Sequence, residues 1–85
     1  MQARTALDEI RGFATAGRYL LSGHAYERMN VRNVTEQDVR SALVNASGCS
    51  PAECERWKVT GPDLYGDELT LVVVLDAGLL IVTVF

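Results

Sequence analysis

Residues that build metal and redox centres are scarce in this sequence. Among 85 residues there are one histidine and two cysteines. Cys49 and Cys54 are five positions apart, in a segment that contains Pro51, and the histidine is elsewhere in the chain, which leaves too few ligands for a structural zinc site. Two thiols, or an occasional local disulfide between them, remain as interpretations. We therefore expect no metal ion and no cofactor.

Long apolar runs are also missing. The first twenty residues mix charged side chains with apolar positions, and no uninterrupted apolar run approaches the length that crosses a bilayer. The sequence therefore predicts neither a secretory segment nor a membrane-spanning one. We expect a cytoplasmic protein without a membrane partner.

Several motifs that identify enzyme classes are absent, and basic residues are a minority. There is no glycine-rich phosphate loop, no nucleophile elbow and no paired-cysteine motif. The net charge of -3 and the pI near 4.9 count against simple nucleic-acid binding. A few basic side chains could still gather on one side, because a phosphate responds to the local field. The candidates are Arg28, Arg32, Arg56 and Lys58.

The sequence has the composition of an ordered globular chain. Hydrophobic residues make up 48% and charged residues 22% of it. At this length we expect a single domain over residues 1–85 that buries about 60–65% of the surface of its unfolded chain. There are no internal repeats and no low-complexity linker.

The first two helices are predicted from their start and stop signals. Thr5 and Asp8 have the spacing of a capping box and predict the start of the first helix. Gly17 is predicted to end this helix in a left-handed conformation. Ser22 is the start signal of the second helix, because its hydroxyl can accept a backbone N–H of the first turn. Asn33 tolerates the left-handed conformation and is its stop signal.

A second capping box predicts the third helix. Thr35 and Asp38 form this box, so the helix starts at Glu36, and Gly48 closes it. Residues 49–55 are then predicted to form a loop, because Pro51 prevents continuation of the helix. The predicted buried face consists of Val39, Ala42, Leu43 and Ala46.

The hydrophobic pattern changes to a strand period in the second half of the chain. Residues 56–60 alternate, and residues 69–75 and 79–85 are apolar runs separated by a hairpin turn at 76–78. With an edge strand at 18–21, this predicts an α+β fold with an antiparallel sheet of about four strands and helices packed on one face. The other face exposes valines together with Thr70 and Thr83.

The second helix carries the candidate chemistry. His24, Arg28 and Arg32 recur four residues apart and form one polar stripe, while Ala25 and Met29 form an adjacent apolar stripe. The apolar stripe can pack against the rest of the protein while the polar stripe contacts a ligand. The alternative is that the histidine is a local hydrogen-bonding group and that the arginines form a solvated face.

Three segments carry a resemblance to known proteins. HAYERMNVRNVTEQDV fits the pattern HA-x-x-R-M-x-x-R-x-(I/V)-(T/S)-x-x-D-V, and it is followed by RWKVTGPDLYGDELTLVVVL and LLIVTVF. These segments resemble a family of small uncharacterised bacterial domains (DUF4258-like). The order of elements, from the L-x-x-I helix to the last strand, is also similar to MqsR-type mRNA interferase toxins of the RelE-like superfamily.

The resemblance implies a RelE/MqsR-like fold and the toxin of a type II toxin–antitoxin system, a metal-independent endoribonuclease with a cognate antitoxin as protein partner. Lys58 directly follows the strand tryptophan and matches a basic or amide position of MqsR-type toxins. The catalytic tyrosine of those toxins falls near Glu68 and has no tyrosine match in this sequence.

Cleavage of RNA without a metal needs a base for the 2′-hydroxyl proton, an acid for the leaving oxygen and cations against the growing phosphorane charge. His24 suits either proton role because histidine titrates near neutrality. The charge would come from Arg28, Arg32 and Lys58. The alternative for Lys58 is that it merely covers an edge of the sheet.

Aromatic and basic side chains near these residues are candidates for binding RNA. We predict RNA contacts at Tyr26 and Arg56, and Tyr26 or Trp57 could stack on a base. For Trp57 a place in the core is the preferred interpretation, because it alternates with Val59 and large aromatic side chains are usually buried.

A second hypothesis is a catalytically degenerate interaction module of the same fold. The missing tyrosine and the negative net charge motivate it. The histidine and the arginines would then be structural and would bond to the acidic turn around Asp63 or to backbone carbonyls. That turn, with Asp67 and Glu68, is either a solvated polar loop or a weak cation site.

Either hypothesis predicts a protein partner. Residues 69–75 and 79–85 contain neither lysine nor proline, so an edge formed by them would be unguarded. We expect a homodimer, or an antitoxin that adds an extended segment to the sheet or covers its helix face.

Overall fold

A computed structural model describes all 85 residues as three helices and a five-stranded sheet. The α+β class is therefore confirmed, but the sheet has one strand more than predicted. The helices are α1 (Ala3–Thr15), α2 (Gly23–Arg32) and α3 (Glu36–Val44). The strands are β1 (Tyr19–Leu21), β2 (Gly48–Ala52), β3 (Arg56–Pro62), β4 (Glu68–Leu75) and β5 (Leu79–Val84).

The sheet is mixed, so the prediction of an antiparallel sheet was wrong. Its strand order is β1-β5-β4-β3-β2. The four strands from β2 to β5 form an antiparallel meander, whereas β1 pairs with β5 in parallel, with Leu20 opposite Leu80. The parallel pair joins segments from the two ends of the chain, and helices lie between them in sequence, as a parallel connection requires.

The additional strand is β2, which lies in the segment predicted as a loop. It pairs with β3 over five residues, from Gly48 opposite Thr60 to Ala52 opposite Arg56. Pro51 is tolerated there because β2 is an edge strand. Three residues connect β2 to β3, and the N–H of Arg56 donates to the Glu53 carbonyl at 3.3 Å. Cys54 and Glu55, the two residues inside this turn, have φ values of 60° and 57°, as in a primed turn.

The predicted start of α1 was also wrong. The helix begins at Ala3 after an extended Gln2, without a side-chain cap, so Thr5 lies inside it. The N–H of the buried Ala6 donates to the Gln2 carbonyl, which requires helical residues before Thr5. Gly17, at a φ of 70°, confirms the predicted stop.

The cap signals of α2 and of the start of α3 are confirmed. The Ser22 hydroxyl accepts the N–H of Ala25 at 3.0 Å, and Asn33 is left-handed with a φ of 57°. Thr35 and Asp38 form the predicted capping box. The end of α3 differs from the prediction, because the helix stops at Val44 and Gly48 instead opens β2.

The three helices pack on one face of the sheet. α1 contacts α3 and β2, α3 lies on β3 and β4, and α2 lies on β5. The four residues predicted to be buried at α3 are all fully buried, although Ala46 follows the helix, which ends at Val44. The sheet contributes residues of its helix-facing side to this core, and they alternate except after Ile81, where a bulge in β5 makes Val84 the next one. These residues are Val59, Leu69, Leu71, Val73, Leu79, Ile81 and Val84. None of the three helices has the length and apolar character needed to cross a membrane.

The opposite face of the sheet, called the open face below, is not covered by any element. Cross-strand partners share a face, so Lys58, Val72 and Thr83 form a row across β3, β4 and β5. The premise that residues 69–75 and 79–85 form an edge was wrong. β4 has neighbours on two sides, β1 covers β5 as far as Ile81, and the short strands β1 and β2 are the edges of the sheet.

Candidate functional site

The polar stripe of α2 lies beside the part of β5 that β1 leaves uncovered. β1 pairs with β5 only as far as Ile81. Beyond it, the Ser22 hydroxyl donates to the Val82 carbonyl at 2.7 Å, and the Arg28 Nε–H donates to the Val84 carbonyl at 3.5 Å. α2 therefore takes over the free edge of β5 through side-chain hydrogen bonds.

The structure places the three stripe residues side by side but in different environments. Arg28 is half-buried and its guanidinium is already directed at a backbone carbonyl. His24 and Arg32, one helical step to either side of it, are exposed. Within α2, the side chains that hydrogen-bond to the protein are those of Arg28 and Tyr26. His24 and Arg32 thus keep their donors and acceptors for a ligand.

Lys58 is exposed, on the open face, and does not contact this stripe. Val72 and Thr83 stand between β3 and the edge that α2 covers. Two strand spacings separate β3 from β5, a distance of about 10 Å. Lys58 lines a shallow depression of about 380 Å³ together with Ala52, Thr70, Val72 and Phe85. The four predicted catalytic residues therefore do not form one cluster. Three of them form the stripe on α2, and Lys58 is separate from it, across the sheet.

Arg56 joins Lys58 on the open face, whereas Tyr26 does not join the stripe. Arg56 is two residues before Lys58 on the same strand and is exposed. The Tyr26 hydroxyl donates to Glu36 Oε1 at 2.9 Å, on the side of α2 that faces α3. The hydrogen bond and the negative charge of Glu36 raise the pKa of Tyr26. Glu27 lines the same shallow groove, so the surroundings of Tyr26 are acidic.

Trp57 has the core position that its alternation with Val59 predicted. It is half-buried and packs against the hydrophobic core on the helix side of β3. Its ring is therefore on the other side of the strand from Arg56 and Lys58, so it contributes no stacking platform to the open face.

The acidic turn stabilises its own backbone. Asp63 Oδ1 accepts the N–H groups of Tyr65 and Asp67 at 2.8 and 2.9 Å. The arginines of the stripe do not bond to it, because Arg28 is directed at β5 instead. No group of three or more histidine, cysteine or acidic side chains is arranged to hold a metal ion.

Asp38 holds the start of α3 against the connection between β3 and β4, whereas the sequence indicated it only as part of a helix cap. Its Oδ2 accepts the N–H and the hydroxyl of Thr35, both at 3.0 Å, and its Oδ1 accepts the N–H of Leu64 at 3.1 Å. The N–H groups of Thr35 and Leu64 lower the pKa of this buried carboxyl group. Asp38 thereby ties α3 to the connection between β3 and β4.

Sequence reasoning missed two features of this surface. Phe85 and Ala52 border Lys58, but residues 49–55 had been assigned to a loop, so no neighbour for Lys58 on that side was expected. The second hydrogen bond of Ser22 was also missed, because it joins residues 60 positions apart. The alternation of Thr83 and Phe85 in the last strand was a usable signal for the first of these features.

A family model described as "Domain of unknown function (DUF4258)" matches residues 21–85. The match begins at the last residue of β1 and includes the polar stripe, Lys58 and the four strands of the meander. No curated protein and no solved structure matches the chain. The resemblance to MqsR-type and RelE-like toxins therefore stays a prediction.

Proposed function

This chain belongs to the DUF4258 family, and we propose that it acts as the toxin of a type II toxin–antitoxin system, a metal-independent endoribonuclease. The observation that carries the proposal is the stripe on α2. His24 and Arg32 are exposed on either side of Arg28, beside the free edge of β5. The resemblance of the chain to mRNA interferases supports the choice of RNA as substrate.

The proposed chemistry assigns one role to each side chain. His24 takes the proton of the 2′-hydroxyl, whose oxygen attacks the adjacent phosphorus. The bond from phosphorus to the 5′-oxygen of the next nucleotide breaks, and that oxygen leaves as a hydroxyl after taking a proton from solvent water. Arg32 and Arg28 stabilise the charge that grows on the phosphorane oxygens. Lys58 is on the opposite face of the sheet from α2 and two strands away from β5, so it binds another phosphate of the same RNA molecule, beyond direct contact with the stripe.

The test is cleavage of a labelled single-stranded RNA of about 20 nucleotides by the purified protein in the presence of a chelator of divalent cations. We expect products that end in a 2′,3′-cyclic phosphate. His24→Gln should lower the cleavage rate by about 100-fold or more, which is the usual contribution of a general base. Growth arrest on expression of the unaltered chain alone in bacteria should disappear in the same variant.

Arg4→Gln is the matched control, because Arg4 is exposed on α1, which packs on α3 and β2. This variant should cleave RNA at the unaltered rate. Absence of cleavage by the unaltered protein, or cleavage that persists in His24→Gln, would contradict the proposal.

The second candidate is a non-catalytic interaction module, and two observations favour it. The Arg28 guanidinium is directed at the Val84 carbonyl, as a structural role requires. Lys58 is separated from the stripe by Val72 and Thr83, and the depression it lines is shallow. If this candidate is correct, the protein should bind RNA weakly and without cleavage, and His24→Gln should leave its growth phenotype unchanged.

A further inference from the structure

A shallow groove of about 440 Å³ lies between α2 and α3, and it is called the α2–α3 groove below. Its lining combines an aromatic ring, two carboxylates, an amide and two apolar side chains. These residues are Tyr26, Glu27, Met29, Asn30, Val34 and Glu36. The groove is on the side of α2 that faces α3, whereas the polar stripe is on another side of that helix, beside β5.

The charged residues of the α2–α3 groove are both acidic. Glu27 and Glu36 are exposed, and no lysine, arginine or histidine is part of the lining. Arg28 and Arg32 belong to the stripe on another side of α2, and Arg40, one turn after Glu36, donates to a carbonyl of α1 at 3.1 Å. The C-terminal end of α2 and the N-terminal end of α3 both border the groove, so their opposite partial charges offset each other. The two carboxylates therefore make the groove negative.

The polar atoms of the groove retain free acceptors. The Tyr26 hydroxyl donates to Glu36 Oε1 at 2.9 Å, which holds the ring at the rim of the groove, where Tyr26 is 51% exposed. The other oxygen of Glu36, the Glu27 carboxylate and the Asn30 side chain make no hydrogen bond with the protein. A fixed aromatic face beside free carboxylate oxygens attracts a cation that carries several N–H groups.

Arginine fits this combination better than lysine or a nucleic acid does. The floor of the groove is apolar, since Met29 is 4% exposed and Val34 is half-buried. The methylene stem of an arginine can cover such a floor while its planar guanidinium stacks on an aromatic ring and donates to carboxylates. A lysine ammonium is a compact, strongly hydrated charge without a flat face. The phosphates of a nucleic acid are repelled by both carboxylates.

We propose that the α2–α3 groove binds an arginine side chain of another polypeptide. The guanidinium stacks on the ring of Tyr26 and donates to Glu36 and Glu27, and the methylene stem packs on Val34. The partner is therefore a protein segment that presents an arginine, recognised by its charge and by its flat, forked head group. The inference does not depend on ribonuclease activity, because the groove shares no residue with the polar stripe.

The probe is a capped alanine peptide with one central arginine, titrated into the isotope-labelled full chain at constant ionic strength and followed by NMR. The matched peptide has citrulline in place of arginine, which keeps the shape of the side chain but has no charge. The arginine peptide should shift the backbone signals of Tyr26, Asn30 and Glu36 with a Kd below about 10 mM. The citrulline peptide should bind at least about fivefold more weakly, and a lysine peptide about threefold more weakly.

Variants of the chain test the ring and the carboxylates separately. Tyr26→Ala should weaken the arginine peptide about threefold through loss of the aromatic face, whereas Tyr26→Phe keeps that face and should weaken it less. Glu36→Gln should weaken it about threefold, and combining this change with Glu27→Gln should weaken it about tenfold. Glu53→Gln is the matched control, since Glu53 is exposed in the turn after β2, and this variant should bind the peptide normally.

The NMR spectrum of each variant establishes that it is folded, and every substituted residue is exposed. The proposal is overturned if the groove signals do not shift, if the citrulline or lysine peptide binds as tightly as the arginine peptide, or if the groove variants bind like Glu53→Gln. A concentration-dependent dimer that the double glutamine variant dissociates would assign the groove to a second copy and overturn the assignment to a different polypeptide. Shifts of the same signals by a single-stranded RNA, without any by the arginine peptide, would assign it to nucleic acid.

Discussion

Gly61 of β3 lies directly against the backbone of Ala42 in α3. A Cβ atom at Gly61 would be 2.0 Å from the Ala42 carbonyl oxygen and 2.8 Å from its carbonyl carbon. Only a residue without a side chain allows α3 to approach the sheet at this point. The contact sets the depth at which Val39 and Leu43 of α3 enter the core.

Gly61→Ala should therefore destabilise the protein strongly. The added methyl group meets backbone, which cannot move without shifting α3, and overpacking of this kind costs about 1–3 kcal/mol or more. Urea unfolding at neutral pH measures the loss. Gly12→Ala is the control, because a Cβ at Gly12 on α1 meets nothing within 4 Å. It should stabilise the helix by about 0.5–1 kcal/mol, and equal effects of the two changes would refute this account.

Three local signals predicted helix bounds correctly, whereas the spacing of Thr5 and Asp8 did not. Ser22, Asn33 and the box of Thr35 and Asp38 act within one turn of a helix, so the sequence alone indicated the bounds of α2 and the start of α3. The alternation of Trp57 and Lys58 placed both residues on the correct faces of β3. Alternate residues of a strand face opposite sides of the sheet, so the face can be assigned without knowing the neighbouring strands.

Strand order could not be predicted, because it depends on pairing between distant segments. β2 has the sequence GCSPA, which has little intrinsic preference for a strand, and it forms because β3 offers a partner. The parallel pairing of Tyr19 with Leu79 joins residues 60 positions apart. For this reason the sequence indicated each candidate side chain but not the distance between Lys58 and the stripe.

Asp38→Asn should reduce the free energy of unfolding at neutral pH and make it change less as the pH falls. The N–H groups of Thr35 and Leu64 hold the pKa of Asp38 below its ordinary value of 3.8. A carboxyl group with a lowered pKa in the folded state contributes stability above the unfolded pKa and loses it as the pH falls through the folded value. Asparagine keeps one acceptor and loses the charge, at a cost of about 1–3 kcal/mol.

Urea unfolding of the Asp38 variant at about pH 7 and about pH 3 measures both effects. The difference in stability between the variant and the unaltered protein should shrink at the lower pH. Asp8→Asn, a change at an exposed position on α1, should alter stability by less than about 0.5 kcal/mol. A destabilisation by Asp38→Asn that is the same at both pH values would contradict the role of the ionised carboxylate.

Substitutions of the two arginines of the stripe should distinguish an effect on RNA binding from an effect on stability. Arg32→Gln should leave unfolding within about 0.5 kcal/mol of the unaltered protein, because Arg32 is exposed. Under the proposed function it should weaken RNA binding and lower the slope of log Kd against log salt by about one. Arg28→Gln should weaken RNA binding and also cost stability, since it removes the bond to the Val84 carbonyl. An unchanged salt dependence in Arg32→Gln would show that this residue does not contact phosphate.

The two thiols should react with alkylating reagents at different rates. Cys54 is exposed in the turn after β2, whereas Cys49 is half-buried and burial raises the pKa of its thiol. The thiolate is the reactive form, so at about pH 8 the raised pKa leaves a smaller fraction of Cys49 ionised than in a cysteine with the ordinary pKa. Mass spectrometry after brief iodoacetamide treatment should show one modification, and Cys54→Ser should remove it. Rapid modification of Cys54→Ser would show that Cys49 is accessible.

The Ser22 hydroxyl connects the start of α2 to the edge of β5, so its removal should affect both elements. It accepts the N–H of Ala25 at 3.0 Å and donates to the Val82 carbonyl at 2.7 Å. Ser22→Ala removes a helix cap, worth about 1 kcal/mol, and leaves a strand carbonyl without its donor, at a similar cost. We therefore expect a loss of about 2 kcal/mol in the free energy of unfolding.

Two further variants separate these contributions. Ser22→Thr keeps the hydroxyl as donor and acceptor, so most of the stability should return. Ser22→Asp keeps an acceptor for the N–H of Ala25 but brings a carboxylate towards the Val82 carbonyl, so the cap is retained while the strand contact becomes repulsive. Urea unfolding should rank serine and threonine above aspartate and alanine. If aspartate were as stabilising as serine, the cap alone would explain the residue, and α2 would not depend on this hydrogen bond to cover β5.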